Sequence, residues 1–600
     1  MLFPRSLLLS VAALMGCSAA QAVPTGTPLP GNYTGPLRPQ VHYSPPTGFM
    51  NDPNGMFYLN GVFHLYYQYN PTGLGPGNQV RVIAGRSGFS ASPPLFTKLI
   101  KTIISTGAMQ LARTATPGRT RPSPCSRPIR GFSSHSGSAV VDVNNTSGFF
   151  PDQDNGVVVV FTFANYNEDG STGPQTQAIA YSHDEGYTFQ YYDGNPVINS
   201  TSSQFRDPKV IRYGDHWAMV VAYSQEFVVA IYTSPDLKEW TWASNFTNHG
   251  LLGAQYECPN IVKMPVRDRN GAVVDEKYVL TISLQPGAPL GGSVTEYFIG
   301  DFNGTHFITV DAATRLTDFA KDNYAAQFFY GVEGNPINMG WASNWQYTGL
   351  VPTGNNEGWR SAMTLPRVNY LTKSAPRIGW TMVDEIYDPK SIMSASPLKA
   401  ATDMGNGNVT VDYSDVESHS LYIEANVTGL DVTKTSGLTT LNLTFTSPAS
   451  GESLRSGFYF GGDSTFFVDR GQLRGFDNVY FTDKFSIADV YYDNPKAASW
   501  SIKAVIDRSI YEVFVGGGRH AGTVLLYPMQ PLTVVDVAAR DMPAGAQVSV
   551  AVWALNSTWA GQADGQGTVL GNVTTATSTT PSGKAAGLKR NMLFEGTFSA

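Results

Sequence analysis

Short apolar runs broken by turn residues recur along this chain at intervals too short for helices. Between about Arg38 and Pro376 the runs VVVVFTFA (157–164), QAIAYS (177–182), HWAMVVAYS (216–224), VVAIYTS (228–234) and YVLTISL (278–284) alternate with Gly, Asn, Asp and Pro. That is the pattern of β-strands joined by tight turns. No long stretch carries the periodicity of an amphipathic helix. YSHDEGYTF (181–189) and YTSPDLKEW (232–240) share one spacing: a Tyr, three residues, an acid, three residues, an aromatic. Hairpin tips repeated at this interval predict a β-propeller. From Val411 to Leu555 the pattern changes to cleaner alternation, as in TTLNLTFTS, SWSIKAVIDRSIYEVFVGG and AQVSVAVWAL. One buried face per strand predicts a β-sandwich. The chain is therefore read as all-β, with a propeller over 38–376, a sandwich over 395–560, and a Gly/Ser/Thr-rich tail (561–600) whose composition predicts disorder.

Composition supports this division. Six hundred residues exceed one ordinary core, and 60 Gly, 38 Pro, 30 Tyr and 32 Phe with only 14% charged residues suit many short strands and turns. Residues 1–22 read as a secretory leader, with Arg5, the apolar LLLSVAALM and a small-x-small site at Ala20-Gln21-Ala22. N-glycosylation acceptors stand at Asn32, Asn144, Asn145, Asn199, Asn245, Asn303, Asn408, Asn426, Asn442, Asn556 and Asn572, as expected of a secreted glycoprotein. Beyond Cys17 of the leader only Cys125 and Cys258 remain, so neither a disulfide framework nor a metal cluster is expected. A formal charge of -7 argues against nucleic acid or an anionic membrane as partner. A homo-oligomer is compatible with the sequence but not specified by it.

The candidate chemistry lies in three acids. FMNDPNGMFYLNGVFHLYYQYNP (49–71) sets Asp52 before Pro53, ahead of an Asn60-Gly61 hairpin; FRDPKVI (205–211) sets Asp207 before Pro208; YECPNIV (256–262) sets Glu257 before Cys258-Pro259. Each acid has a proline within two residues and then an apolar strand. Singly, each reads as a turn cap or a surface acid. Three on one design, in strands that start at a propeller axis, predict a site. Retaining glycoside hydrolysis needs a carboxylate nucleophile and a carboxylic acid about 5 Å apart. Asp52, in a turn and beside Asn51, is expected to be the ionised nucleophile. Glu257 is expected to be the acid/base, its pKa raised by neighbouring carboxylates, and Asp207, fixed by Arg206, the group that bonds sugar hydroxyls. No metal or cofactor is expected, because no His/Cys cluster or calcium loop accompanies these acids.

The ordered stretches RPQVHYSPPTGFMNDPNG, YQYNP, SGSAVVDVNNTSGFF, FRDPK, YECPN, LQPGAPLGGS, FIGDFNGTHF, DFAKDNYAAQFF, GWASNWQY and EGWRSAM resemble glycoside hydrolase family 32, and within it the yeast and fungal invertases (β-fructofuranosidases). The resemblance implies a five-bladed propeller followed by a C-terminal sandwich, and the same three roles for Asp52, Asp207 and Glu257. It also implies that Asn51, Gln68, Ser136, Arg206, Asp322 and Trp345 contact sugar or line the pocket. The implied activity is removal of terminal β-D-fructofuranosyl residues, sucrose first. A fructosyltransferase or an inulinase of the same family stays open, as does a catalytically impaired secreted sugar-binding protein.

The last alternative arises from residues 72–135. This stretch holds nine basic residues and no Asp, Glu, Trp or Tyr, where the chain average would give on the order of five acids. The family would place here a WGHA-like strand, an Asp/Trp hairpin, and a Phe where His135 precedes Ser136. One reading is a basic lid for an acidic partner; the preferred reading is a local reading-frame error or a retained intron with correct frame on both sides, since an aliphatic and Pro/Arg mixture without pattern rarely packs. Sequencing the transcript across codons 72–135 is expected to return a different reading. A chain made as written is expected to fold poorly and hydrolyse little sucrose, so ordinary turnover by such a product would defeat the expectation.

Overall fold

A computed structural model describes residues 32–76, 80–84, 108–109, 132–167, 169, 171–373, 379–489 and 494–558. The leader, the 561–600 tail and most of 72–135 lie outside them. Five antiparallel blades surround one axis, and their inner strands are Gly48–Leu59, Phe132–Val141, Phe205–Tyr213, Tyr256–Arg267 and Tyr324–Phe328. The ring is closed by the last blade: Gly48 and Phe49 pair in parallel with Trp359 and Arg360, and Phe57 bridges Tyr330.

The two repeated motifs both fall between the third and fourth strands of a blade. Their true correspondence is Ser182-x-Asp184 with Ser234-x-Asp236, because the Ser182 hydroxyl donates to Asp184 as the Ser234 hydroxyl does to Asp236. The spacing that aligned Glu185 with Asp236 was one residue out.

The propeller also runs past position 376. Trp380–Ile386 pairs with Arg367–Lys373 along its whole length as the outer strand of the fifth blade. Two six-stranded sheets then form the sandwich. Alternation sets its inner layer: in Thr440–Thr446 the residues Leu441, Leu443 and Phe445 are fully buried against Val535, Val537 and Tyr511.

Polar bonds lock the two domains together. The propeller loop at 317–323 runs beside the edge strand His520–Leu525: Phe319 donates to the Ala521 carbonyl, Thr523 N–H to Asp318 and Leu525 N–H to Asp322. Nearby, buried His42 lies between Asp507 (2.8 Å) and Glu512 (3.2 Å), and Glu512 also takes Arg367 at 2.9 Å. Burial alone would push the imidazole down, but its bonds to Asp507 and Glu512 hold it up at about 9. A site that binds its proton more tightly folded than unfolded adds stability that is complete below pH 6.5 and is lost as pH rises to about 9. His42→Gln is therefore expected to cost about 3–5 kcal/mol near pH 6 and to flatten the alkaline loss of stability. Denaturant titrations at several pH values check both effects.

Candidate active site

All five inner strands are interrupted at one level. In each, two residues stand opposite one on the neighbouring strand: Asn51-Asp52 opposite Gln68, His135-Ser136 opposite Thr162, Asp207-Pro208 opposite Val221, Cys258-Pro259 opposite Ile282, and Ala325-Ala326 opposite Gly340. These are β-bulges, which bend a strand and re-aim its side chains. Asp207, Cys258 and Ala325 take φ of +66°, +45° and +52°, a conformation non-glycine residues adopt at a cost. Proline suits the second bulge position because an unpaired residue needs no N–H. The sequence reading that put Asp52 in a turn is thereby corrected: one continuous strand, Gly48–Leu59, passes through it, and the only turn is Asn60-Gly61. Proline and Asn-Gly mark a bulge as readily as a turn.

The bulges bring the three acids together. Cys258 Sγ lies 3.6 Å from both Asp52 Oδ2 and Asp207 Oδ2, and the Cys258 N–H donates to Asp207 Oδ2 at 3.0 Å. Glu257 accepts Arg206 Nη2 (2.9 Å) and Gln255 Nε2 (3.1 Å) on Oε1, and the Tyr324 hydroxyl (2.5 Å) on Oε2. Arg206 is thus closer to Glu257 than to Asp207, whose Oδ2 is 3.9 Å away. It does not fix Asp207 as expected; the Cys258 amide and the Asp207 N–H bond to Thr162 Oγ1 do.

The electrostatics differ from expectation too. Burial, then the charges of Glu257 and Asp207, push the Asp52 carboxyl up to about 7. Burial and Glu257 raise Asp207 to about 6 against the pull of Arg206. Expecting an ordinary pKa at Asp52 overlooked burial: both aspartates are buried, whereas Glu257 keeps partial exposure and takes the guanidinium. Asp52 Oδ1 is buried and has no hydrogen-bond partner among the described residues.

The remaining predicted residues divide. Asn51 Nδ2 donates to Gln68 Oε1 (2.6 Å), and Gln68 Nε2 donates to Ser136 Oγ (2.7 Å), a relay from the first blade to the second beside Asp52. Trp345 packs with Phe49 and Trp341, and Trp341 Nε1 donates to the Met50 carbonyl just before the Asn51-Asp52 bulge. Asp322 is elsewhere. It is fully buried, bonded to Tyr347, Arg470 and the Leu525 amide, and belongs to the domain interface rather than to the acids.

Sequence reading overlooked Tyr324, although it lies two residues beyond Asp322. It also overlooked Lys209, two residues beyond Asp207. Lys209 is buried, and its Nζ reaches from the third blade to the Phe328 carbonyl of the fifth (2.6 Å), with burial holding it down at about 7. A cation in an apolar strand was the available signal.

Comparison with known proteins follows this geometry. The family model for the glycosyl hydrolases family 32 N-terminal domain matches residues 42–81 and 127–377, and that for the family 32 C terminal matches 392–554. The chain is 37% identical to an invertase of Wickerhamomyces anomalus, over 81% of this chain and 88% of the relative. It is 37% identical to an extracellular exo-inulinase of Meyerozyma guilliermondii, over 80% and 88%. Among solved structures, a fructofuranosidase of Schwanniomyces occidentalis complexed with fructose matches at 30% identity and a TM-score of 0.73, over 88% of this chain and 100% of that one.

Proposed function

Because the chain belongs to glycosyl hydrolase family 32, we propose that its three bulge-borne acids form a retaining active centre that releases fructose from the β-fructofuranosyl end of sucrose. The chain is a β-fructofuranosidase, a glycosyl hydrolase. The observation that carries the catalytic assignment is the convergence of the acids: Cys258 Sγ lies 3.6 Å from both Asp52 Oδ2 and Asp207 Oδ2, and Glu257 is the residue next to it in the chain, so a buried nucleophile and a donor-bound acid face one space.

The steps follow from the neighbours. Glu257, the most accessible of the three and oriented by Arg206 and Tyr324, protonates the departing glycosidic oxygen as Asp52 bonds to the fructosyl carbon. It then takes a proton from the water that hydrolyses the ester. Asp207, held by the Cys258 amide, accepts hydrogen bonds from the sugar hydroxyls as charge develops on the ring. The enzyme acts outside the cell, in line with its leader and with the extracellular relative.

The invertase and exo-inulinase relatives match at the same identity, so sucrose and inulin rates should be compared directly. Asp52→Asn and Glu257→Ala are each expected to lower kcat on the order of 10^4-fold while the melting temperature stays near wild type. Fructose should leave with retained anomeric configuration, seen by NMR in the first minutes of reaction; an inverted product excludes the double displacement. Arg206 opposes protonation of Asp207. Arg206→Leu is therefore expected to move the acid limb of kcat/KM to higher pH, on the order of one unit, as well as lowering kcat. A pH–rate profile with an unmoved acid limb would contradict the electrostatic role.

A further inference from the structure

The outer strand of the third blade, Thr241–Thr247 (TWASNFT), carries the acceptor Asn245-Phe246-Thr247. Phe246 is buried among His249, Phe298 and Phe307, and Asn245 points outward. Three residues earlier stands Trp242, the one tryptophan among the exposed large apolar side chains of the described residues, with 57% of its surface accessible. In a regular strand, positions three apart face opposite sides. Here a bulge intervenes: Ile231 pairs with Ser244 and Tyr232 with Trp242, leaving Ala243 extra. The extra residue turns Trp242 onto the face of Asn245, and its indole Nε1 donates to Asn245 Oδ1 at 2.9 Å.

We propose that Asn245 carries an N-linked glycan whose first N-acetylglucosamine packs on the indole of Trp242. This rests on the secretory reading above. In the linkage step Nδ2 forms a bond to C1 of the sugar, the bond from C1 to the oxygen of a polyprenyl diphosphate donor breaks, the diphosphate departs with the electron pair, and Nδ2 gives up one proton. A trans amide sets C1 opposite Cβ and therefore on the same side as Oδ1. Since Trp242 holds Oδ1, the sugar is carried towards the indole. Its apolar C–H face then covers an aromatic surface otherwise left in water, the kind of surface whose burial stabilises folded proteins. The bond to Oδ1 leaves Nδ2, the linking atom, unengaged.

The test uses the protein secreted from a eukaryotic host. Mass spectrometry of the glycopeptide spanning 241–247 is expected to find Asn245 occupied. Melting temperatures of wild type, Trp242→Ala, Asn245→Gln and the double variant then form a cycle. Asn245→Gln is expected to lower the melting temperature by on the order of 1–2 °C when Trp242 is present and to change nothing when it is absent. Equal losses in both backgrounds overturn the packing. A bare Asn245 in secreted protein whose other acceptors are glycosylated overturns the site alone, whereas a chain glycosylated nowhere overturns the secretory reading together with it.

Discussion

One backbone irregularity, repeated five times, determines what this protein can do. A propeller of regular strands would line its axis with alternating side chains and hold no acid in a fixed direction. A two-for-one bulge at the same level of every inner strand turns Asp52, Ser136, Asp207 and Cys258 to one side and places Glu257 next to its bulge. Each bulge leaves its partner strand one residue short, and the residues opposite are used: Gln68 bonds Asn51 and Ser136, and Thr162 accepts the Asp207 amide. The left-handed φ values at Asp207, Cys258 and Ala325 are strain that the surrounding sheets enforce, located where chemistry needs direction rather than stability.

Enclosing two aspartates beside a glutamate is costly, and the structure offsets only part of the cost. Arg206 is the one cation bonded to the trio among the described residues, and it favours Glu257. Cys258 supplies Asp207 with an amide donor and gives both aspartates a thiol contact, which softens repulsion without neutralising charge. The result is a pair of buried aspartates whose carboxyls are held above their ordinary range, the kind of perturbation that clusters at functional sites. Elsewhere charges are buried with full compensation: Asp507 takes His42, Ser420 and three backbone amides, and falls below the usual carboxylate range despite complete burial. The contrast separates the groups that hold the fold from those proposed to react.

Much of this was legible in the sequence, for identifiable reasons. Strand alternation in TTLNLTFTS and the proline after each acid are local signals, so the sandwich, the propeller and the association of the three acids could be read. What failed was non-local. Nothing in FMNDPNG distinguishes a turn from a bulge, because the pairing of Asn51-Asp52 against the single Gln68 is set by the partner strand. Nothing in DFAKDNYAAQ says that Asp322 faces a strand two hundred residues later, or that Tyr324 is the side chain that reaches an acid. The raised pKa of Asp52 and Asp207 was out of reach likewise, since their burial depends on how five blades close. The foreign composition of 72–135 was a local signal, and the family model, which leaves 82–126 unmatched, breaks off and resumes inside it.

The segment from Asp318 to Gln327 ties these levels together. Asp318 and Asp322 bond the backbone of the sandwich edge strand His520–Leu525, covering an edge that would otherwise stand open. Two residues on, Tyr324 donates to Glu257, and the next two form the fifth bulge. Phe328, one turn of the pleat further, receives Lys209 from across the axis, so the strand is fixed at both ends of the bulge. The position of the proposed acid/base therefore depends on a strand of the other domain. A sandwich without a bond to the three acids among the described residues still sets the geometry of the proposed site, which is a physical reason for the two domains to be locked by buried charge rather than left to move.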